Sequence, residues 1–354
     1  MTSTERVMAA VNFQKPDRLP TWEHLWGSLP DAWRAYKGLA SDVDPRDYYG
    51  IDISILIGDE TFFPSQRMLV REEGDYEIHQ DGWGRTIRTG KTNTYFGEQI
   101  DSVLREPGDL DRLTFEPAGL ERRFEGFDEQ IAVERASGRC LFSKIGGLYV
   151  RSHFLHAEDK LLMDMALDEG FCDALFDKVA AHLTDMALET LKRTNTWETG
   201  LWVYDDMANS NATMFSPNMF ERYFLPRYKK LIETVRAAGC KHFFLHSDGN
   251  IAPVLDMLLD AGFEGFNPLE PRCGLDLLKL REKYGKRMVF FGGVCNTRVL
   301  PRGDKKEIEE TVLPLIEMGR EGGLVLGFAS IGDDVTPEAY DFYRSLITKY
   351  GDYS

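Results

Sequence analysis

The segment HSDGN at residues 246–250 places a histidine, a hydroxyl and a carboxylate directly after the apolar run at 243–245. His246 and Asp248 are two residues apart, so their side chains point to the same side if the backbone stays extended. Together with Asp206, which follows another apolar run, and Cys295, which follows a third, they could bind zinc through N, O and S donors. Without a metal, the same histidine and carboxylate could act as an oriented acid–base pair.

Each of these residues also has a structural interpretation. An acid after a strand often caps the next helix, and this applies to Asp206, Asp248 and Asp334. A free cysteine such as Cys295 is often only a small buried apolar side chain. His246 could be a hydrogen-bonded core histidine, so the sequence leaves the roles of ligand, base and cap open.

Eight short apolar segments ending in glycine or polar residues alternate with helix-like stretches, and they determine the expected fold. The strands are predicted at 19–24, 52–58, 140–146, 201–206, 241–246, 265–270, 287–293 and 323–329. Parallel strands need crossover helices and closure removes both sheet edges, so the pattern favours one α/β domain over 1–354, a (β/α)8 TIM barrel, ahead of a doubly wound sheet. Alternation around DGWG predicts an inserted β-hairpin at 76–99, after the second strand.

Reactive groups of such a barrel lie at the carboxyl ends of its strands, so the polar residues there are the site candidates. We predict His246, Asp206 and Asp248 as catalytic residues, and His246, Asp248 and Cys295 as metal ligands. The substrate-binding residues predicted from these positions are Glu23, His24, Asp59, Asp205, Asn267 and Ser330. The same ring includes Glu60, Lys144, Ser247, Glu270, Asn296 and Asp333.

Composition restricts the partners that this chain can have. The net charge of −16 argues against nucleic acids and anionic membranes, both of which attract basic surfaces. The sequence has no long apolar segment and no leader pattern, which predicts a cytoplasmic protein without a membrane partner. Its glycine pairs match neither GxGxxG nor the P-loop, so neither NAD nor ATP is expected as a cofactor.

Several long segments resemble the uroporphyrinogen decarboxylase superfamily, in order, over nearly the whole chain. They are RVMAAVNFQKPDRLPTWEH (6–24), SPNMFERYFLPRYKKLIETVRAAG (216–239), HSDGNIAPVLDMLLDAGFEGFNPLEP (246–271) and GREGGLVLGFASIGDDVTPEAYDFYRSLITKYG (319–351). The resemblance implies a (β/α)8 barrel, a homodimer, and either decarboxylation of a porphyrinogen or methyl transfer involving a corrinoid (cobalamin) protein. Tyr149 and Phe154 lie in GGLYVRSHFL, which resembles the substrate-binding segment of the family, and they are added to the predicted substrate-binding residues.

Two differences favour the methyltransferase branch. The decarboxylases carry an arginine-rich stretch after the first strand, whereas the matching LPTWEHLWGSLPDAWRAYKG has no arginine before Arg34. Thiol methylases of the other branch bind zinc through His-x-Cys and a distant cysteine, and these positions carry His246, Asp248 and Ser330 here. The resemblance therefore implies an altered zinc site.

The expected function is methyl transfer between a small methylated substrate, such as a methoxylated aromatic, and a corrinoid. This chain lacks the DxHxxG signature of corrinoid-binding domains, so the corrinoid is expected on a separate partner protein. The alternatives are a decarboxylase of tetrapyrroles and a non-catalytic binder, and Ala329 and Ser330 would be consistent with the latter.

Overall fold

The computed structural model describes residues 1–92, 97–295, 297–328 and 330–354. Within these residues the strands are β1 (Thr21–Trp22), β2 (Ile53–Leu56), β3 (Met68–Glu73), β4 (Tyr76–Gln80), β5 (Arg85–Gly90), β6 (Gly97–Ser102), β7 (Cys140–Gly146), β8 (Leu201–Tyr204), β9 (Phe243–His246), β10 (Gly265–Asn267), β11 (Val289–Gly293) and β12 (Leu324–Gly327). The predicted residues Asn296 and Ala329, and residues 93–96 of the predicted hairpin, lie outside the described part.

The helices of the same residues are α1 (Ser3–Val11), α2 (Leu29–Lys37), α3 (Pro45–Tyr48), α4 (Phe127–Ala136), α5 (Leu148–His156), α6 (Glu158–Leu167), α7 (Glu169–Thr194), α8 (Pro217–Met219), α9 (Leu225–Ala237), α10 (Leu255–Ala261), α11 (Leu277–Tyr284), α12 (Val299–Arg302), α13 (Lys305–Gly319) and α14 (Pro337–Tyr350). None of the described helices is both long and apolar enough to cross a membrane.

The main sheet is a parallel barrel. Its strand order is β1-β12-β11-β10-β9-β8-β7-β2, and every pair of neighbours runs parallel. The backbone N–H of Asp52, just before β2, donates to the carbonyl of Thr21 in β1 at 2.9 Å and joins the two ends of the sheet. The predicted (β/α)8 barrel is confirmed, and each of the eight predicted segments contains one of its strands.

The insertion after β2 is larger than the predicted hairpin. Strands β4 and β5 do form a hairpin around DGWG, but β3 and β6 extend it to a four-stranded antiparallel sheet. The sequence MLVREE of β3 has no alternation of apolar and polar residues, because all six residues of this strand are exposed. Its pattern therefore gave no signal for a half-buried strand.

Large rings fill the barrel interior and set the depth of its mouth. The ring centroid of Trp202 lies 5.0 Å from that of Trp22, 5.0 Å from Phe244 and 4.8 Å from Phe291. Because side chains alternate along a strand, Tyr204 and His246 follow Trp202 and Phe244 on the inward side, one layer nearer the carboxyl ends. The aromatic layer thus forms the floor beneath these two polar residues.

Candidate active site

His246, the last residue of β9, is held in one orientation by Asn267 at the end of β10. Its Nδ1 lies 2.5 Å from Oδ1 of Asn267, and the amide nitrogen of Asn267 donates to the carbonyl of Phe291 at 3.1 Å. The amide oxygen therefore faces the imidazole and can only accept, so Nδ1 carries the proton. Nε2 is left with a lone pair, in the form that binds metals or accepts a proton.

Two carboxylates meet this nitrogen at the mouth. Nε2 of His246 is 3.6 Å from Oδ1 of Asp206 and 3.9 Å from Oδ1 of Asp248, and one ligand atom from each residue lies within 4.8 Å of the others. The His246 side chain is 12% exposed, whereas both aspartates are 54% exposed. The structure thus brings together all three residues that were predicted as catalytic.

Asp248 does not act as the helix cap that its position allowed. The turn after β9 is stabilised by Asn250, whose Oδ1 accepts from the backbone N–H of Ala252 at 3.0 Å. The backbone N–H of Asp248 instead donates to Oδ1 of Asp206 at 3.0 Å, which ties the two loops together. Burial, together with the negative charges of Asp206 and Glu270, raises the pKa of Asp248, although His246 opposes this shift.

Tyr204 and Lys144 complete the polar layer beside His246. The Tyr204 ring stacks on the imidazole with centroids 4.3 Å apart, and Nζ of Lys144 lies 4.0 Å from the centroid of the same ring. Burial lowers the pKa of Lys144. The pKa of His24 is also lowered, by desolvation and by the positive charges of Arg46 and Lys144.

His24 also borders a cavity beside the barrel mouth. The cavity has a volume of about 410 Å³ and includes Glu23, Leu25, Arg34 and Arg46 in its lining. This volume falls within the range of small-molecule sites. The predicted substrate-binding role of His24 stays a prediction, now with a cavity of suitable size next to it.

Asp205 supports the backbone rather than facing the mouth. Its carboxylate accepts from the backbone N–H groups of Tyr149 and Val150 at 3.1 and 2.8 Å, in the first turn of α5, and from the Tyr228 hydroxyl at 2.5 Å. A Cβ atom at Gly147 would lie 2.0 Å from Cβ of Asp205, so glycine is needed for this approach. Complete burial raises the pKa of Asp205 to about 6.

Glu23 and Asp59 have their carboxylates engaged by other side chains. Glu23 is fully buried and accepts from Arg344 at 2.8 Å and from the Tyr340 hydroxyl at 2.6 Å. Asp59 binds Arg67 at 2.7 Å. Their predicted contact with substrate is not supported by this geometry, because both oxygens of Glu23 accept hydrogen bonds and Oδ1 of Asp59 also accepts from the Thr61 hydroxyl.

The other predicted residues lie at varying distances from the cluster. Tyr149 is buried and donates to Glu158 at 2.7 Å, and Phe154 packs under Arg85 of the inserted sheet at 3.7 Å. Cys295 is buried with its Sγ 3.6 Å from Oγ1 of Thr297, and the structure does not bring it into the Asp206–His246–Asp248 cluster. Ser330 is half-buried in the segment after β12, and its predicted role stays a prediction.

Sequence reasoning missed Tyr204 and gave Lys144 no role. Period-two alternation could have identified both, since Lys144 follows Phe142 and Tyr204 follows Trp202 on the inward face. Asn267 was predicted to contact substrate, whereas its amide is used to orient His246. That function depends on the pairing of Asn267 with His246 across neighbouring strands, which only the register reveals.

The same fold is found in a solved structure of low sequence identity. A methyltransferase from Methanosarcina mazei superposes with a TM-score of 0.72 at 16% identity, over 99% of both chains. A putative vitamin-B12 independent methionine synthase from Listeria monocytogenes has a TM-score of 0.44 at 13% identity, over 95% of this chain and 96% of the other. No curated protein sequence matches this chain.

The family model for uroporphyrinogen decarboxylase (URO-D) matches residues 159–339, just over half of the chain. The matched region begins in α6 and ends in α14, and so includes the ends of β8, β9 and β10 that carry Asp206, His246 and Asn267. This chain is therefore a member of the uroporphyrinogen decarboxylase family.

Proposed function

We propose that this chain is a methyltransferase that moves a methyl group between a small methylated substrate and the corrinoid of a separate partner protein. The observation that carries the proposal is the convergence of Asp206, His246 and Asp248 on one point of the barrel mouth. The likeness in fold to the Methanosarcina mazei methyltransferase is consistent with it.

The donor set fits a catalytic zinc ion. Tetrahedral zinc with bonds of about 2.1 Å to N and O places neighbouring ligand atoms about 3.4 Å apart. The observed separations of 3.6 and 3.9 Å from Nε2 of His246 are close to this value. Two carboxylates and a neutral imidazole would balance the charge of Zn²⁺, and three protein ligands leave one position for substrate, which is the usual form of a catalytic site.

The residues of this chain would bind and orient the methyl compound. Asn267 fixes the His246 ring, and Tyr204 supports it from one face, so the lone pair of Nε2 keeps its direction without further reorganisation. A zinc ion held here would supply a Lewis acid for the atom from which the methyl group departs. A corrinoid supplied by the partner would provide the methyl acceptor or donor.

Thiolate ligands are absent from the Asp206–His246–Asp248 cluster, and this bears on the type of substrate. Oxygen ligands leave more positive charge on zinc than thiolates do, which suits polarisation of a methyl ether or a related donor. We therefore favour a methoxylated compound over a thiol as the substrate.

The proposal is tested by incubating the purified chain with a reduced corrinoid protein and a panel of methoxylated aromatics, methylamines and methylated thiols. Methylation of the corrinoid is followed by its absorbance spectrum. We expect transfer from at least one methoxylated donor and a decrease of about 10- to 100-fold or more in His246→Gln. The control is His79→Gln, a half-exposed histidine of β4 that pairs with Glu77. Absence of transfer from every donor, or full activity in His246→Gln, would contradict the proposal.

A further inference from the structure

Lys144 places a cation in the barrel mouth without an anion to match it. It lies on β7 one inward position beyond Phe142, and its Nζ is 4.0 Å from the centroid of the Tyr204 ring. In the part of the chain that the structure describes, Nζ makes no hydrogen bond and no salt bridge. An ammonium group in such a half-buried place usually has an anionic partner, because desolvation is costly.

The two carboxylates that attract Lys144, those of Glu60 and Asp206, already have other partners. Glu60 uses one oxygen for Nη2 of Arg151 and the other for the backbone N–H of Gly146. Asp206 accepts from the backbone N–H of Asp248 and faces Nε2 of His246. Both acids act on Lys144 only through longer-range attraction, and the charge of Arg151 opposes them. The donors of Lys144 are thus available to a ligand.

Tyr204 connects this cation to the proposed site of methyl transfer. Its ring contacts both Nζ of Lys144 and, by stacking, the imidazole of His246. A ligand with an anionic group on Lys144 and its methyl group at the Asp206–His246–Asp248 cluster would need to span only the Tyr204 ring. This is the length of a small organic acid.

We propose that Lys144 binds the carboxylate of the methyl compound, so that the substrate class is methylated organic acids rather than methylamines or neutral ethers. This inference rests on the proposed function of the Asp206–His246–Asp248 cluster. The same cation disfavours quaternary ammonium compounds, since a like charge would be placed against it in a partly desolvated site.

The test is calorimetric binding to the zinc-loaded full chain, without any corrinoid, of two matched pairs of probes. One pair is 4-methoxybenzoate and 4-methoxybenzamide, and the other is methoxyacetate and methoxyacetamide. We expect the wild type to bind the acid of at least one pair at least about 10-fold more tightly than the amide of the same pair. The reason is that only the acid can form a charge-assisted hydrogen bond with Lys144. Lys144→Met should lose this preference, and Lys144→Arg should keep part of it.

The matched control is Lys306→Met, which removes a lysine that is 83% exposed on α13 and should leave the preference unchanged. Equal affinity of the wild type for acid and amide in both pairs, or no binding of either acid, would overturn the inference. So would an acid preference that survives in Lys144→Met. The comparison of acid with amide in the wild type holds even if a variant fails to fold.

The binding test of Lys144 and the methyl transfer test of the proposed function can fail independently of each other. Acid preference at Lys144 without methyl transfer to a corrinoid would overturn the function and leave the anion site standing. Methyl transfer from neutral or cationic donors only would overturn the anion site and leave the function standing.

Discussion

Asn267 determines which nitrogen of His246 faces the barrel mouth. Its Oδ1 lies 2.5 Å from Nδ1 of the imidazole, and its amide nitrogen is held by the carbonyl of Phe291 on β11. The two residues are register partners on β9 and β10, so the sheet itself aligns them. An amide oxygen that accepts from Nδ1, an oriented ring and an outward-facing lone pair on Nε2 are the arrangement that metal-binding histidines usually have.

Replacing Asn267 should therefore weaken metal binding although this residue is not a ligand. We expect Asn267→Ala to lower the zinc affinity about 10- to 100-fold, because the ring loses its orienting partner. Asn267→Asp, which still accepts from Nδ1, should retain most of the affinity. Competition with a chromophoric chelator measures both, and Asn12→Ala, an exposed amide on the far side of the barrel, is the control. Unchanged affinity in Asn267→Ala would contradict this role.

Cys295 is one of the predicted metal ligands but is not part of the observed cluster. Its Sγ contacts Oγ1 of Thr297 and lies outside the group formed by Asp206, His246 and Asp248. We expect Cys295→Ser to keep its zinc affinity within a factor of about two, because no ligand is lost. A large loss of affinity in the chelator titration would show that the thiol joins the site when the metal binds.

Glu23 is expected to contribute to stability. It forms a fully buried pair with Arg344 at 2.8 Å, with exposures of 0% and 2%. Glu23→Gln should lower the free energy of unfolding by about 3–5 kcal/mol, because it leaves Arg344 buried without its counter-ion. Asp260→Asn breaks a pair of the same length on the surface, with Lys229, and should cost less than about 1 kcal/mol.

Denaturant unfolding of the two variants provides the comparison. Equal effects of Glu23→Gln and Asp260→Asn would contradict the structural role. If Glu23→Gln keeps its stability and instead raises KM for the methyl substrate, this result would support the substrate-binding role that the sequence predicts for Glu23.

His182 gives the fold a defined dependence on pH. Burial lowers its pKa to about 4 from an ordinary value of 6.5, and its Nε2 lies 2.9 Å from the carbonyl of Glu60. Between these two pH values the unfolded chain binds more protons than the folded one. The contribution of His182 to the free energy of unfolding is therefore fully present above pH 6.5 and is lost as the pH falls towards 4. Its contribution is on the order of 3 kcal/mol.

The pH dependence of unfolding in His182→Gln should be shallower than that of the wild type over this interval, whereas His79→Gln should follow the wild type. Histidine titration followed by NMR gives an independent value for the pKa of His182. A wild-type slope in His182→Gln, or a pKa of His182 near 6.5, would contradict the assignment.

The barrel and the position of its mouth could be predicted from sequence because both depend on local pattern. Each short apolar run before a polar tip, such as 243–245 before His246, marks a strand and its carboxyl end at once. The four-stranded insertion could not be predicted in full, since β3 lies exposed on both faces and its sequence carries no periodic signal.

The roles of individual mouth residues depended on contacts between distant parts of the chain. Glu23 and Asp205 are carboxylates at strand ends, as Asp206 is. Glu23, however, is paired with Arg344 from α14, and Asp205 caps α5. Nothing in the local sequence of β1 or β8 indicates those partners. By contrast, period-two alternation along β7 and β8 is sufficient to place Lys144 and Tyr204 on the inward face.

The most direct test of zinc-dependent methyl transfer at the Asp206–His246–Asp248 cluster is the zinc content of the chain purified without chelator, measured in parallel with its methyl transfer activity. We expect close to one zinc per chain in the wild type and in Asp334→Asn, which removes an exposed carboxylate of the segment after β12. Asp206→Asn and Asp248→Asn should each lose most of the zinc and of the activity, because three ligands are the usual minimum for a catalytic zinc site. A wild-type protein that transfers methyl groups at its full rate without zinc would contradict the proposed role of zinc.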